Sequence, residues 1–374
     1  MRKVWIAADS IVSPLGLTTK ENYDNIKKGI SGLRTVQNNS LNPVPVYVGL
    51  VENVRQDAST SKFEELSKNV IQQLIAKVAV DLDRTIFILS TTKGNISFLE
   101  EGRADHPRIH LHETAAYLAS TFGLKKHLVI SNACISGVMA LLVAKRLIES
   151  EQYEHAIVVG ADVLSQFIIS GFQSLQALSP EQCRPFDVRR KGINLGECAA
   201  GVLLSSRADL NSEKSSVRIV GGGLSNDANH ISGPSRTGEE LGFAIQQALE
   251  EAGMTSKDID FVSAHGTATL YNDEMEAKAF NLMNLKETPL NSLKGYYGHT
   301  LGAAGIVETI ISAQSLREDE LIPTVGFESA GMTQTVNVIK KKESRVLRTC
   351  LKTASGFGGC NAAIILQKEF NLKS

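Results

Sequence analysis

Cysteine is sparse and unpatterned. The five thiols, Cys134, Cys183, Cys198, Cys350 and Cys360, are an odd number with no Cys-x-x-Cys spacing. This argues against a disulfide framework or a cysteine-ligated zinc site and fits a reducing compartment. Neither charge is in excess: 39 Lys+Arg stand against 40 Asp+Glu, so no long-range pull toward nucleic acid or an anionic membrane is expected. No segment approaches the ~20 apolar residues of a membrane span. The opening MRKVWIAADS begins like a signal peptide, but Asp9 cuts its apolar run short. A cytoplasmic protein with neither a membrane nor a nucleic-acid partner is the expectation. Aromatics are few, at 6%, yet 43% of the residues are hydrophobic and can build a substantial interior. A chain of 374 residues exceeds one ordinary core, so two domains or one duplicated unit is expected.

Short apolar runs alternate with longer amphipathic ones. VWIAA, TIFILST, HLVISN, HAIVVG, GVLLS, VRIVGG, FVSAH, VNVIK, VLRTCLKTA and AAIILQK read as strands. KFEELSKNVIQQLIAKV, ETAAYLASTF, ISGVMALLVAKRLIES, EELGFAIQQALEEAG, DEMEAKAFNLM and AAGIVETIISAQSL read as helices. Such alternation predicts α/β units with largely parallel sheets. VMALLVAKRL is apolar nearly all round, which predicts a helix buried between layers. The halves also resemble each other. VWIAADSIVSPLG pairs with VRIVGGGLSNDAN, TIFILSTTKGN with DFVSAHGTAT, and AIVVGADV with LKTASGFGG. The polar stretch RADLNSEKSS then separates residues 1–210 from 211–374.

Four stretches carry chemistry. In SNACISG, Cys134 stands where a strand meets a helix. A helix N-terminus offers unpaired N–H groups and positive potential, which favour thiolate and can hold an oxyanion. The alternative is a buried, inert thiol. In SAHGTAT, His265 leaves a strand into a glycine-containing loop, and Thr267 and Thr269 can bond an amide-bearing ligand; the alternative is a histidine that bonds only its own loop. In NSLKGYYGHTLGAAGIVE, His299 lies between Gly298 and a helix start rich in small residues, with Lys294 before it and Glu308 on the helix. Here the alternative is a close helix contact with an incidental histidine. In SGFGGCNAA, glycines flank Phe357, as a ligand loop or a plain turn between strands would have them. One cysteine, two histidines and a lysine suit carbon–carbon bond formation: a thiolate takes an acyl group, and two neutral imidazoles stabilise an enolate as carbon dioxide departs.

NACISG, RPFDVRRKGINLGE (184–197), SAHGTAT, LKGYYGHTLGAAG and GFGG, across essentially the whole chain, resemble the elongating, Cys-His-His β-ketoacyl-acyl carrier protein synthases. The resemblance implies a thiolase-like, duplicated αβαβα layered fold. It implies a half carrying the nucleophile (1–210) and a half carrying both histidines (211–374), usually in a homodimer, with a heterodimer with a related subunit as the other arrangement. It implies Cys134 as acyl acceptor, His265 and His299 as the decarboxylation pair, and Lys294 and Glu308 as their support. Thr267 and Thr269 match threonines that hold phosphopantetheine. Phe357 matches a gating residue whose backbone N–H joins that of Cys134 in an oxyanion hole. The partner implied is acyl carrier protein bearing acyl or malonyl groups. No cofactor or metal is implied, because the phosphopantetheine arrives on the carrier. His299 separates the chain from chain-initiating synthases, which carry asparagine there, and from thiolases, which use a second cysteine.

The sequence also departs from the family. The stretch from VYVGLVENV to the NAC turn is shorter than in relatives. KKHLVISNAC lacks a Gly-Pro pair often found there, and Cys198-Ala199-Ala200 stands where glycine, alanine, glycine is commoner. These changes touch the acyl pocket and dimer geometry. Three rivals remain. A chain-length-factor-like partner subunit would typically lack Cys134. A synthase for a specialised product such as a polyketide or aryl polyene would retain the whole set. A cysteine hydrolase would have no use for the second histidine. His106, His110 and His112 in DHPRIHLHE could suggest a metal, but Pro107 breaks a simple helical face and a polar loop or helix start is the expectation.

Overall fold

A computed structural model describes residues 2–38, 41–52, 54, 59–210, 215–228 and 233–370. The first half runs β1 (Trp5–Val12), α1 (Thr19–Lys27), β2 (Leu33–Asn38), β3 (Asn42–Gly49), α2 (Lys62–Lys77), β4 (Thr85–Ser90), α3 (Ile96–Glu100), α4 (Leu111–Thr121), β5 (Lys126–Ile130), α5 (Ser136–Glu149), β6 (His155–Asp162), α6 (Gln166–Ser174), β7 (Leu195–Gly196) and β8 (Cys198–Ser205). The second runs β9 (Ser215–Asn226), α7 (Glu239–Ala252), β10 (Phe261–Ser263), α8 (Leu270–Leu282), β11 (Leu290–Asn291), α9 (Lys294–Tyr297), α10 (Ala304–Glu318), β12 (Glu320–Leu321), β13 (Glu343–Ser344), β14 (Thr349–Ser355) and β15 (Cys360–Phe370). The boundary set between 210 and 211 borders residues 211–214, which lie outside the described residues.

Ten strands form one sheet in the order β11-β10-β14-β15-β9-β1-β8-β6-β4-β5. Counted outward from the centre, β1, β8, β6, β4 and β5 correspond to β9, β15, β14, β10 and β11. On each side two antiparallel pairings are followed by two parallel ones. The three sequence pairings fall on equivalent strands: β1 with β9, β4 with β10, β6 with β14. The expectation of largely parallel sheets is corrected. The tight turn 356–359 reverses the chain between β14 and β15 with no helical crossover, so that pair must be antiparallel. VNVIK is not a strand either; Val338 makes only an isolated bridge to Leu290.

The strand TIFILS shows how the layers arise. Ile86 and Ile88 face one apolar cluster and Phe87 and Leu89 another, because successive side chains point to opposite faces. The first cluster holds α5 and α10 between the two halves of the sheet. The second packs α2 and α4 on the outside of the first half, and a third packs α7 and α8 on the outside of the second. The order is αβαβα. The helix predicted to be buried between layers is α5, and α10 beside it is buried along nearly its whole length. The two cross at glycine. A Cβ on Gly305 would lie 2.6 Å from the Val138 amide nitrogen, and one on Gly137 would lie 3.0 Å from that of Ile306. No helix among the described residues is long and apolar enough to cross a membrane, and the opening apolar run is the core strand β1, whose Asp9 pairs with Arg317 of α10 at 2.9 Å.

Candidate active site

Close packing of α5 against α10 brings the two halves' loops together. Cys134 lies two residues before α5, after Ala133, whose φ is +43°. Ser136 holds the turn: its Oγ accepts from the Asn132 N–H at 2.7 Å and donates to the Ala133 carbonyl at 2.7 Å. His265 follows β10, and His299 follows α9. The Cys134 sulfur and one nitrogen from each histidine all lie within 4.8 Å of one another. The imidazole rings meet edge to face with centroids 5.1 Å apart. All three residues line a cavity of about 400 Å³, together with Thr267, Thr269, Phe172, Phe357, Arg190 and Lys191 among others.

The helix start favours thiolate at Cys134, and burial acts in the opposite direction. Burial pushes the thiol up to about 12, and Cys360 adds to the rise, outweighing Lys294, the Phe357 amide and Lys93, which pull it down. The helix end is too weak a field to offset removal from water. Both histidines lie well below their usual value, first through burial and then through Lys294, with Lys352 acting the same way. Near neutrality the centre holds a thiol and two uncharged imidazoles. His265 Nδ1 and both His299 nitrogens are buried and have no hydrogen-bond partner in the protein among the described residues.

The remaining predicted residues converge on the same site. Lys294 and Glu308 form a buried ion pair beneath the histidines. The hydroxyls of Thr267 and Thr269 lie 2.9 Å apart in the cavity wall. Phe357 is 40% exposed at the cavity and its ring stands 5.8 Å from that of Phe172, which suits a movable side chain. Its backbone amide favours the charged form of the Cys134 sulfur, and a Cβ on the preceding Gly356 would stand 3.1 Å from the Cys134 amide nitrogen. The 356–359 turn and the Cys134 turn therefore meet beside the sulfur.

RPFDVRRKGINLGE is scaffolding for these loops. Asn194 accepts the His299 N–H through its carbonyl at 2.7 Å, while its side chain takes the Cys183 N–H and reaches Ser179 and Glu181. Asp187 accepts the amides of Arg189, Glu328 and Ser329. Strain collects here: Ala133, Phe186, Ala268 and Leu301 all have positive φ. Each costs of order 1 kcal/mol and persists because neighbouring contacts hold it. Gly266, at φ +46°, cannot be replaced, since a Cβ would meet that of Ser292 at 2.4 Å.

Sequence reasoning misses three buried groups. Glu276 of α8 accepts the amides of His265 at 2.8 Å and Gly266 at 2.6 Å. Asp273, one turn earlier, accepts those of Phe186 and Ala268, and burial pushes it up to about 7. Their signal is two acids three residues apart on a helix face otherwise packed with apolar residues. Lys352, inside a β strand, offers no comparable signal. In DHPRIHLHE, His106 accepts the Arg108 N–H and packs on Phe98, and His110 and His112 stack on each other. Among the described residues the only cluster able to hold a metal is the Cys-His-His centre itself.

Residues 111–209 match the family "Beta-ketoacyl synthase, N-terminal domain" and residues 217–328 match "Beta-ketoacyl synthase, C-terminal domain", together more than half of the chain. The "3-oxoacyl-[acyl-carrier-protein] synthase 2" of Rhizobium meliloti is 34% identical over 65% of this chain and 60% of its own length. The protein of the same name from Vibrio cholerae is 28% identical over 98% of this chain and 99% of its own. That alignment spans 412 positions, more than this chain has residues, so the relative carries segments missing here. A solved ketosynthase (ApeO) in complex with its chain length factor (ApeC) from Xenorhabdus doucetiae superimposes with a TM-score of 0.82 at 26% identity, over 98% of both chains. The five-layer architecture is thus the thiolase-like one, and the chain belongs to the β-ketoacyl synthase family.

Proposed function

We propose that this chain is a β-ketoacyl-acyl carrier protein synthase that condenses an acyl group held on Cys134 with malonyl-carrier protein. One observation carries the reading: a thiol and two unprotonated imidazoles meet within 4.8 Å at the base of one cavity.

The thiol attacks the thioester of the incoming acyl-carrier protein. Its proton passes to the departing phosphopantetheine sulfur, with an imidazole as the nearest relay, since the thiol is too weak an acid to ionise first. Malonyl-carrier protein then enters past Phe357, its arm steadied by Thr267 and Thr269. Loss of carbon dioxide leaves an electron pair on the thioester enolate, whose oxygen accepts hydrogen bonds from His265 and His299. The enolate carbon attacks the acyl-Cys134 carbonyl. Its oxyanion rests on the amides of Cys134 and Phe357, and collapse expels the Cys134 sulfur as thiolate, which takes up a proton from solvent to restore the thiol. This sequence calls for no metal or redox cofactor; the phosphopantetheine belongs to the carrier. The partner is acyl carrier protein, in a homodimer or in a heterodimer with a related subunit. β5 supports the dimer: it is an edge strand with Leu128 40% exposed, an open ladder that a second chain can pair. A non-catalytic chain-length-factor role is disfavoured by the intact Cys-His-His set.

The test is labelled carbon dioxide release from malonyl-carrier protein by wild type, Cys134→Gln, and Cys134→Gln with His299→Ala. A glutamine amide occupies the place of an acylated cysteine, so the single variant keeps or raises release while condensation stops. The double variant loses release by roughly a hundredfold or more. No release from the folded single variant would refute the division of labour, and equal release from both would remove His299 from it.

A further inference from the structure

The centre holds a second buried ammonium that the reaction as derived does not use. Lys352 lies on β14, opposite Ser263 of β10, and its side chain is completely buried. The ammonium lies 2.7 Å from Glu308 Oε2 and donates to the carbonyls of Ser263 at 3.3 Å, Ala264 at 3.4 Å and Thr353. Lys294 takes the other oxygen of the same carboxylate. One carboxylate therefore serves two ammonium groups; burial weakens Lys352's hold on its proton, which Glu308 and, further off, the Glu276 carboxylate strengthen.

We propose that Lys352 is a positioning residue of the decarboxylation centre: it fixes the strand end that carries His265 and adds a second positive charge beneath the two imidazoles, where enolate charge develops. The proposal rests on the condensing activity above. The geometry supports both parts. Lys352 holds the two carbonyls that precede His265. Thr353, its neighbour on β14, donates to Glu276 at 3.2 Å, and Glu276 holds the amides of His265 and Gly266. β14 thus grips the His265 turn from both sides. A strand is a rigid mount for such contacts.

A charge in a dry site acts over several ångströms. Lys352 lowers the proton affinity of both histidines, after burial and Lys294. The charged and titratable groups around the pair are Cys134 before α5, Lys294 on α9, Glu308 on α10, Lys352 on β14, and Asp273 and Glu276 on α8. A cation here has two effects of one sign. It keeps the imidazoles unprotonated, and it attracts the negative charge that forms when carbon dioxide leaves.

The experiment reads the histidines directly by NMR titration of the full-length protein with labelled histidine, for wild type, Lys352→Met and Lys352→Gln. Glutamine keeps a donor for the carbonyls but no charge. Wild-type His265 and His299 should titrate below 6.5, and both variants should move these midpoints upward. In the same proteins the acidic limb of carbon dioxide release should move to higher pH, with a loss of about tenfold or more at its acidic end. Acyl loading of Cys134 should fall far less. Unshifted midpoints in either folded variant would overturn the proposal, because a purely structural lysine would lower stability and leave the titration alone. If neither variant folds, wild type decides, and a histidine of this pair titrating at or above 6.5 would overturn it. The titration needs no substrate, so it can fail while the proposed activity stands, and the reverse.

Discussion

Removing the Cys134 sulfur from water penalises its ionised form more than the nearby amides and lysines favour it, so Cys134 rests as a thiol. This has a measurable consequence. Alkylation of Cys134 by iodoacetamide should be slow near neutrality and still climbing, close to tenfold per pH unit, at about pH 9.5. A plateau below about pH 8 would mean a stabilised thiolate and would restore the helix-end explanation. The other four cysteines are buried as well, so exposure does not single out Cys134. Its position beside the cavity and the Phe357 amide does. The lowered histidines complete the picture: an imidazolium next to the lysines would be repelled, whereas a neutral ring keeps an N–H with which to donate a hydrogen bond to an enolate.

At the scale of elements, the site depends on how near α5 can come to α10. The Gly305 contact is with backbone, which cannot swing aside as a side chain would. Gly305→Ala should therefore lower stability by about 1–3 kcal/mol, read as a fall in the urea midpoint. It should also slow condensation more than acyl loading, since α10 carries Glu308 and follows the His299 loop. An unchanged midpoint would show that the helices can separate at little cost. α8 works in a comparable way. Its Asp273 and Glu276 turn two carboxylates inward to hold the loop amides around Phe186, His265 and Ala268. An amphipathic helix with a buried acidic pair is costly unless each oxygen is hydrogen-bonded, and here the strained loops supply the donors.

The whole molecule has balanced charge, so docking of the proposed carrier would rely on a local patch. Lys191 lines the cavity, and Arg184 and Arg189 belong to the same chain segment; each already has an acidic neighbour: Arg184 with Glu328, Arg189 with Asp187 and Glu328, Lys191 with Glu181 at 3.0 Å. An acidic carrier would exchange these partners rather than find free cations. The carrier's KM should rise with salt, and Lys191→Glu should raise it about several-fold with little change in kcat. Salt-independent binding would point to an apolar dock, for which exposed Leu270 and Tyr271 at the same rim are the candidates.

Much of this architecture is legible along the chain. The apolar alternation marks nearly all the central strands and the six long helices, because burial on both faces leaves a pattern in composition alone. Cys134, His265, His299, Lys294, Glu308 and Phe357 stand out because each sits in a short motif whose glycines or small residues have a local reason. Other features do not exist along the chain. The antiparallel centre of the sheet follows from which strands become neighbours. The thiol's weak acidity follows from how many atoms enclose it. Lys352 follows from both: a lysine in a strand reads as an edge or surface residue until Glu308, 44 positions earlier, is folded against it. Local propensity and spacing are properties of the sequence; burial and the field of distant charges are properties of the packed whole.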